Sequence, residues 1–291
     1  MKKRNLILTF IIVCSLSLYG CSSEFNIDNE ITVISREAGS GTRDAFTDLF
    51  NIQQTDQNGV KRDLTIPTAD INNSTGIMMI NTSSNKHAIG YISFGSINQS
   101  IKVLNINGVE ATGENVRNGS YQMARPFNIA TKTELSEETI DFIDFILSME
   151  GQKIVENNGY IPLDETEPYL NKRMTGRIVI VGSSSVTPLM EKLREAYIEL
   201  NPQVTIEIQQ SDSSSGMKAI AENICDIGMA SRELKTSELE QGIHSTVIAL
   251  DGIAIVVNNE NPIDNLTTEQ VKDIYTGKIT RWNQIPTNQA D

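Results

Sequence analysis

The stretch Ser35-Arg36-Glu37-Ala38-Gly39-Ser40-Gly41-Thr42 follows the β-branched run Ile31–Ile34 and precedes a helix-like segment, Arg43–Phe50. A strand that turns through Ser and Gly into a helix leaves free backbone N–H groups at the helix start. Those donors lie at the positive end of the helix dipole and form an anion site, to which Ser and Thr hydroxyls add further donors. The stretch therefore predicts a strand, an anion-binding loop and a helix.

The same design recurs three more times along the chain. Strand-like runs at 178–181, 204–208 and 226–230 lead into Ser-rich loops at 182–187, 211–216 and 231–232, and then into helix-like segments at 188–193, 217–220 and 233–235. This alternation indicates an α/β fold with open, largely parallel sheets, whose ligands sit at the carboxyl ends of the strands. One such loop is often only a helix cap, but four in one chain favour a convergent site.

The composition limits the classes of function. The 291 residues suffice for one large domain or two medium ones, and 37 Asp and Glu against 24 Lys and Arg give a net charge of −13. A surface that acidic argues against nonspecific nucleic-acid binding, which depends on phosphate neutralisation by Lys and Arg. With 39% hydrophobic and 21% charged residues, the chain has the composition of a soluble globular protein.

The N-terminus has the pattern of an export signal. Basic residues at 2–4 precede the apolar run Leu6–Val13, and Gly20-Cys21 follows it. The pattern resembles a bacterial lipobox, which implies a signal peptide at 1–20, a lipid such as palmitate on Cys21, and a tether at 21–28. The alternative is an uncleaved anchor. Both place the body of the protein outside the cytoplasmic membrane, and the lipid would hold it at the outer face.

The sequence contains no combination of residues typical of an enzyme. Cys225 is the one cysteine after Cys21, so an internal disulfide and a cysteine-based metal site are excluded. Ser215-Gly216-Met217-Lys218 matches the S-x-x-K motif of penicillin-recognising enzymes, but the partner motifs of that family are absent. We therefore expect no enzymatic activity, no cofactor and no metal.

Several segments together resemble the periplasmic phosphate-binding proteins, the substrate-binding components of the phosphate-specific ABC transporter. The loops that carry the resemblance are Ser35–Asp44, Gly182–Pro188 and Asp226–Leu234, and further segments that fit are Ala88–Tyr91, Ala249–Ile253 and Ile274–Trp282. The resemblance implies an α/β protein with a two-lobed, type II periplasmic-binding-protein fold that closes on phosphate.

The resemblance also implies a set of phosphate-binding residues: Arg36, Ser40, Gly41, Thr42, Ser184, Ser185, Val186 (through its backbone), Ser213 and Ser231. A guanidinium fork such as that of Arg36 can hold two phosphate oxygens. Ser231 stands where some members have an Asp that accepts a proton from the anion. Glu37 and Asp212 are both candidates for the acceptor that favours phosphate over sulfate, and Arg232 is expected either to add charge or to face solvent.

The family segments occur in rotated order. The first part of the chain resembles the middle of the family sequence, and residues 159–162 resemble the family's C-terminal region. After a linker at 163–177, the chain resembles the family's N-terminal region. This predicts a circular permutant with one lobe from 29–122 and 253–291 and a continuous lobe at 123–252. The alternatives are a segment cut from a tandem array of such domains, or a truncated or mis-called reading frame.

The resemblance implies an extracytoplasmic lipoprotein that binds inorganic phosphate and delivers it to ABC permease subunits, with no nucleic-acid partner. The alternatives are a phosphate-sensing or surface interaction protein, a related oxyanion binder, or a non-functional gene fragment that keeps the fold.

Overall fold

The computed structural model describes residues 24–56, 61–164 and 166–286. The predicted signal peptide and the lipidated Cys21 lie outside these ranges. Within them, no helix combines the length and the apolar character that crossing a bilayer requires.

Strands and helices alternate through most of the described chain. The strands are β1 (Thr32–Arg36), β2 (Gln53–Thr55), β3 (Lys61–Asp63), β4 (Asp70–Asn72), β5 (Ala88–Ser93), β6 (Lys102–Val103), β7 (Asn105–Ile106), β8 (Ala124–Thr131), β9 (Thr175–Ser183), β10 (Gln203–Ser211), β11 (Ile227–Ala230), β12 (His244–Val257) and β13 (Asn265–Leu266). The helices are α1 (Gly41–Leu49), α2 (Thr75–Ser84), α3 (Gly113–Arg117), α4 (Glu137–Leu147), α5 (Met149–Asn157), α6 (Thr187–Leu200), α7 (Ser213–Ala221), α8 (Thr236–Leu239) and α9 (Thr268–Tyr275).

Nine of the described strands form one mixed sheet in the order β10-β9-β11-β8-β12-β5-β1-β4, with β6 paired to β12. The outer pairs are parallel, as in β1 with β5 and β9 with β10. In the middle, β8 and β12 run antiparallel to each other and to their other neighbours β11 and β5. The expectation of largely parallel sheets is therefore wrong at the centre, where these two long strands run between the parallel halves.

Strand β12 changes partner along its length. His244 to Gly252 pair with β8, whereas Ile253–Val257 pair with β5. At the change, a Cβ on Gly252 would lie 2.3 Å from the ring of Phe94, so a larger residue would displace that ring. One strand thus belongs to both halves of the sheet.

The buried apolar side chains form two large cores. The first core draws on residues 31–123 and 253–285, and the second core on residues 127–249. In the first core the rings of Phe46 and Tyr91 stack with centroids 3.8 Å apart. The predicted boundaries between two lobes stay a prediction, which this division of apolar contacts supports.

Two local expectations differ from the structure. Residues 233–235 are not helical, because α8 starts at Thr236 and the Glu238 carboxylate accepts the N–H of Lys235 at 2.8 Å, which stabilises that helix start. The predicted linker at 163–177 ends earlier, since β9 begins at Thr175, where it pairs with Gln203 of β10.

The two ends of the described chain lie side by side. Glu30 forms an isolated β-bridge with Arg281, and the Asn283 side-chain amide donates to the Asp28 carboxylate at 2.8 Å. The Arg281 guanidinium also donates to the Asp28 carbonyl oxygen. The segments near both termini therefore meet at one edge of the molecule.

Candidate functional site

The predicted loops gather at the carboxyl ends of β1, β9, β10 and β11, which end at Arg36, Ser183, Ser211 and Ala230. Parallel strands bring these ends to the same edge of a sheet. The predicted residues are all buried there: Arg36, Ser40, Gly41, Thr42, Ser184, Ser185, Val186, Ser213 and Ser231.

At the centre of this region lies a group of hydroxyls from distant parts of the chain, here called the hydroxyl cluster: Thr42, Ser183, Ser185, Ser213 and Ser231. Thr42 Oγ1 lies 2.7 Å from Ser185 Oγ and 3.4 Å from Ser231 Oγ. Ser183 Oγ donates to Ser231 Oγ at 2.9 Å, and Ser213 Oγ accepts the N–H of Ser231 at 3.1 Å. Each hydroxyl can rotate to donate, so the cluster can direct several O–H groups at one anion.

Arg36 brings a buried positive charge to the cluster. Its Nε and Nη2 each donate to Glu37 at 2.8 Å, and Nη2 also donates to Ser184 Oγ at 2.9 Å. Nη1 donates to Thr75 Oγ1 at 3.3 Å. The Arg36 side chain is 2% exposed, so the adjacent carboxylate offsets much of the cost of burying its charge. These partners hold the guanidinium in one orientation.

Helix α1 supplies backbone donors beside Arg36. Ser40 is its N-cap, and Ser40 Oγ accepts the N–H of Arg43 at 3.3 Å. Gly41 and Thr42 occupy the first turn, where N–H groups lack an acceptor within the helix. A Cβ on Gly41 would lie 2.4 Å from Ser213 Oγ, so glycine permits this close approach of the loops.

The loop between β9 and α6 contributes mainly side-chain hydroxyls. The N–H of Ser184 donates to the Ser211 carbonyl at 2.9 Å, and that of Ser185 to Ser183 Oγ at 3.3 Å. The N–H of Val186, expected to face the ligand, donates to the Ser183 carbonyl at 3.0 Å and closes the turn that starts α6. Ser184 and Ser185 reach Arg36 and the hydroxyl cluster through their hydroxyls.

The two candidate acceptors already have donors. Glu37 pairs with Arg36, and Asp212 caps α7 by accepting the N–H and the hydroxyl of Ser215 at 2.9 and 2.6 Å. In the described part of the chain neither carboxylate hydrogen-bonds a member of the hydroxyl cluster. The choice between them as the acceptor that favours phosphate over sulfate stays a prediction.

Arg232 is buried rather than solvent-facing, and it joins α1 to the segment around α8. Its Nη2 and Nη1 donate to Glu238 at 2.8 and 2.9 Å, and its Nε lies 3.2 Å from Asp44 Oδ2. Lys235 Nζ lies 3.2 Å from the same oxygen. Burial raises the pKa of Glu238, but hydrogen bonds from Arg232 and from the Lys235 amide more than offset it, so the pKa lies below its ordinary value.

A buried ion pair supports the cluster where β12 changes partner. Asp251 accepts from Nε and Nη2 of Arg125 at 3.2 and 3.0 Å and from Ser93 Oγ at 2.7 Å. Arg125 Nη1 also donates to the Ser231 carbonyl at 2.9 Å. Burial raises the pKa of Asp251 and lowers that of Arg125, and the ion pair opposes both shifts. The ion pair joins β8, which carries Arg125, to β12, which carries Asp251. Through its other hydrogen bonds it links Ser93 of β5 to Ser231.

A groove of about 900 Å³ borders this region. It lies between α1 with the paired strands β2 and β3 on one side and residues 124–126 and 232–236 on the other, and both Arg125 and Arg232 line it.

Three residues at the site were missed by the sequence reasoning: Ser183, which lies in a loop that was predicted, Thr75 and Arg125. Thr75 had a usable signal, because Ser74-Thr75-Gly76 follows β4 and begins α2, which repeats the strand, Ser/Thr/Gly and helix design. Arg125 had none, since its partner Asp251 is 126 positions away.

Comparisons with known proteins show which family this chain belongs to. A family model described as a PBP superfamily domain matches residues 23–150 and 171–291. The phosphate-binding protein PstS 2 of Streptococcus agalactiae serotype V is 49% identical over 290 residues, which cover 97% of this chain and 99% of that protein. The corresponding protein of Streptococcus pneumoniae serotype 4 is 43% identical over 289 residues, with the same coverage of both chains, 97% and 99%.

A solved structure matches as well. The crystal structure of the phosphate-binding protein of a phosphate ABC transporter from Streptococcus pneumoniae TIGR4 superposes with a TM-score of 0.71 at 45% identity. The match covers 89% of this chain and 100% of that one. The mixed α/β architecture is therefore the periplasmic-binding-protein-like fold that the sequence predicted.

Proposed function

The chain belongs to the PstS phosphate-binding proteins of the PBP superfamily, substrate-binding proteins that are not enzymes, and from this we propose that it binds inorganic phosphate and delivers it to the permease subunits of an ABC transporter. The observation that carries the proposal is the position of Arg36, which donates to Ser184 and, through Thr75, adjoins the hydroxyl cluster at the starts of α1, α6 and α7. Helix starts and hydroxyls are donors suited to a tetrahedral oxyanion.

The binding residues in this proposal are those that the sequence predicted: Arg36, Ser40, Gly41, Thr42, Ser184, Ser185, Val186, Ser213 and Ser231. Thr42 belongs to the side of the first core, whereas Ser185 and Ser231 belong to that of the second, and these hydroxyls lie within hydrogen-bond distance. An anion held between them would draw the two lobes together. Capture followed by closure is the mechanism we assign, and the closed form would dock on the permease.

The negative net charge of the protein does not prevent the site from attracting an anion. The net charge of −13 is spread over the chain, whereas the hydroxyl cluster presents neutral donors and the charge of Arg36 is balanced by Glu37. Attraction for the anion then depends on short-range donors rather than on the overall charge, because exposed charges more than about 8 Å away are largely screened at physiological salt.

We extend the proposal to the two ends of the chain. Residues 1–20 would direct export, and Cys21 would carry the lipid that anchors the protein at the outer face of the membrane. The adjacency of residues 28–30 and 281–283 supports the circularly permuted order, because joining the ends would need little extra chain. The change of partner in β12 supports lobes of 29–122 with 253–291 and of 123–252.

Titration calorimetry on the full-length protein in mild detergent tests the proposal. We expect one phosphate per chain, and sulfate should bind more weakly, because a buried acceptor that faces the phosphate proton would repel a fully ionised anion. Absence of phosphate binding would contradict the function, and equal affinity for both anions would contradict the discrimination. Uptake of labelled phosphate by cells that lack the protein distinguishes transport from sensing.

A further inference from the structure

Helix α2 places a hydroxyl at the site that the sequence reasoning did not include. In the parallel pairing of β1 and β4, Arg36 lies opposite Asn72, and the N–H of Glu37 donates to the Asn72 carbonyl at 3.1 Å. Helix α2 begins three residues later, with Ser74 as its N-cap. The register of two strands thus sets Thr75 beside the Arg36 guanidinium.

Thr75 joins the two parts of the site. Its side chain is buried, with 5% of the residue exposed, and its Oγ1 accepts from Arg36 Nη1 at 3.3 Å. The same oxygen lies 3.0 Å from Ser185 Oγ, a member of the hydroxyl cluster. A hydroxyl has two lone pairs and one proton, so Thr75 can accept from Arg36 and still donate to a ligand.

The donors of Arg36 indicate where an anion would lie. A guanidinium has five N–H groups. Glu37 takes one from Nε and one from Nη2, Ser184 takes the second from Nη2, and Thr75 takes one from Nη1. The remaining N–H is also on Nη1 and has no partner among the described residues. An anion that accepts this proton therefore lies next to the Thr75 hydroxyl.

We propose that Thr75 is a further phosphate-binding residue, which donates its hydroxyl to the anion while it holds Nη1 of Arg36 in place. This assignment rests on the proposed function. It makes α2 a fourth helix whose start lies at the site, beside α1, α6 and α7.

Calorimetry with inorganic phosphate on full-length Thr75→Val, Thr75→Ser and Thr82→Val tests the assignment. Thr82 lies in the same helix, is fully buried, and has a hydroxyl without a partner, so it serves as the matched control. We expect about a tenfold or greater loss of affinity in Thr75→Val, recovery to within about threefold of wild type in Thr75→Ser, and wild-type affinity in Thr82→Val. If Thr75 had only a structural role, Thr75→Val would lower the melting temperature measured without phosphate, and the folded variant would bind phosphate with wild-type affinity.

The outcomes separate this inference from the function on which it rests. Thr75→Val binding phosphate as tightly as wild type would overturn the inference alone. A wild-type protein that does not bind phosphate would overturn the proposed function. If Thr75→Val does not melt cooperatively, Thr75→Ala replaces it. A loss of affinity of about tenfold or more in Thr75→Ala would support the inference, and wild-type affinity would overturn it.

Discussion

Arg36 determines the geometry of the site at the scale of single residues. Its planar head touches a carboxylate and two hydroxyls in fixed directions, so both its charge and its shape are used. The ammonium group of a lysine has the same charge but lacks the planar, forked arrangement of N–H donors. It therefore cannot hydrogen-bond to Glu37, Ser184 and Thr75 in the directions that Arg36 uses.

We therefore predict that Arg36→Lys lowers phosphate affinity by about tenfold or more, although the charge is conserved. Calorimetry on the full-length protein measures the change. Arg62→Lys is the matched control, since Arg62 is exposed on β3. Equal affinity of Arg36→Lys and wild type would show that charge alone suffices.

Single residues of the site were predictable where local pattern carries the information. Arg36, Ser40 and Thr42 follow from one loop that precedes a helix start. Contacts made across the fold were not predictable in this way. The pairing of Arg36 with Thr75 depends on strand register and not on one loop alone. Likewise, the hydrogen bond from the Val186 N–H to the Ser183 carbonyl is a contact that the sequence pattern did not reveal.

At the scale of elements, α1 and the segment from Arg232 to Glu238 are joined by charge. Asp44 on α1 lies 3.2 Å from both Arg232 Nε and Lys235 Nζ. Nearby, the N–H of Ser214 donates to the Gly39 carbonyl at 3.2 Å. These contacts link the first-core side to the second-core side beside the site, so they form when the two sides are close.

Removing this link should loosen the closed form. We predict that Asp44→Asn weakens phosphate binding by about fivefold, mainly through faster release, since a partly exposed ion pair contributes about 1 kcal/mol. Stopped-flow release kinetics and calorimetry measure the effect, and added salt should reduce the difference. Asp48→Asn is the control, because Asp48 pairs with Lys61 within the first-core side at 2.7 Å. An unchanged release rate in Asp44→Asn would contradict the prediction.

The elements themselves were largely predictable from β-branched runs and helix starts. The exceptions have physical causes. Residues 233–235 carry helix-forming side chains, but capping by Glu238 places the helix start at Thr236. The antiparallel centre of the sheet depends on pairing between β8 and β12, which neither strand encodes locally.

For the whole molecule, the ends of the chain and the linker offer a direct test of the rotated order. We predict that a relinked chain, opened within residues 166–174 and with Asp291 joined to Asn29, folds cooperatively and binds phosphate as the native chain does. The reason is that residues 28–30 already contact 281–283, so closure there costs little entropy. Thermal melting and calorimetry measure the outcome.

A chain opened within β12 instead serves as the control, because it interrupts the strand shared by both cores. It should not fold. A relinked chain without a cooperative transition would contradict the permuted two-lobe arrangement. The periplasmic-binding-protein-like fold was predictable through the family resemblance, whereas the contact between residues 28–30 and 281–283 depends on pairings such as that of Glu30 with Arg281, which a sequence pattern does not reveal.

The meeting of the two chain ends also sets an order of events during synthesis. A polypeptide emerges N-terminus first, and the second core is complete once Ala249 has appeared. The first core needs residues up to Ile285, as in the hydrogen bond from Tyr275 to the Ile34 carbonyl across 241 positions. The earliest strands of the first core to emerge are therefore among the last to be buried, and β1 and β5 expose apolar surface until residues up to Ile285 have emerged.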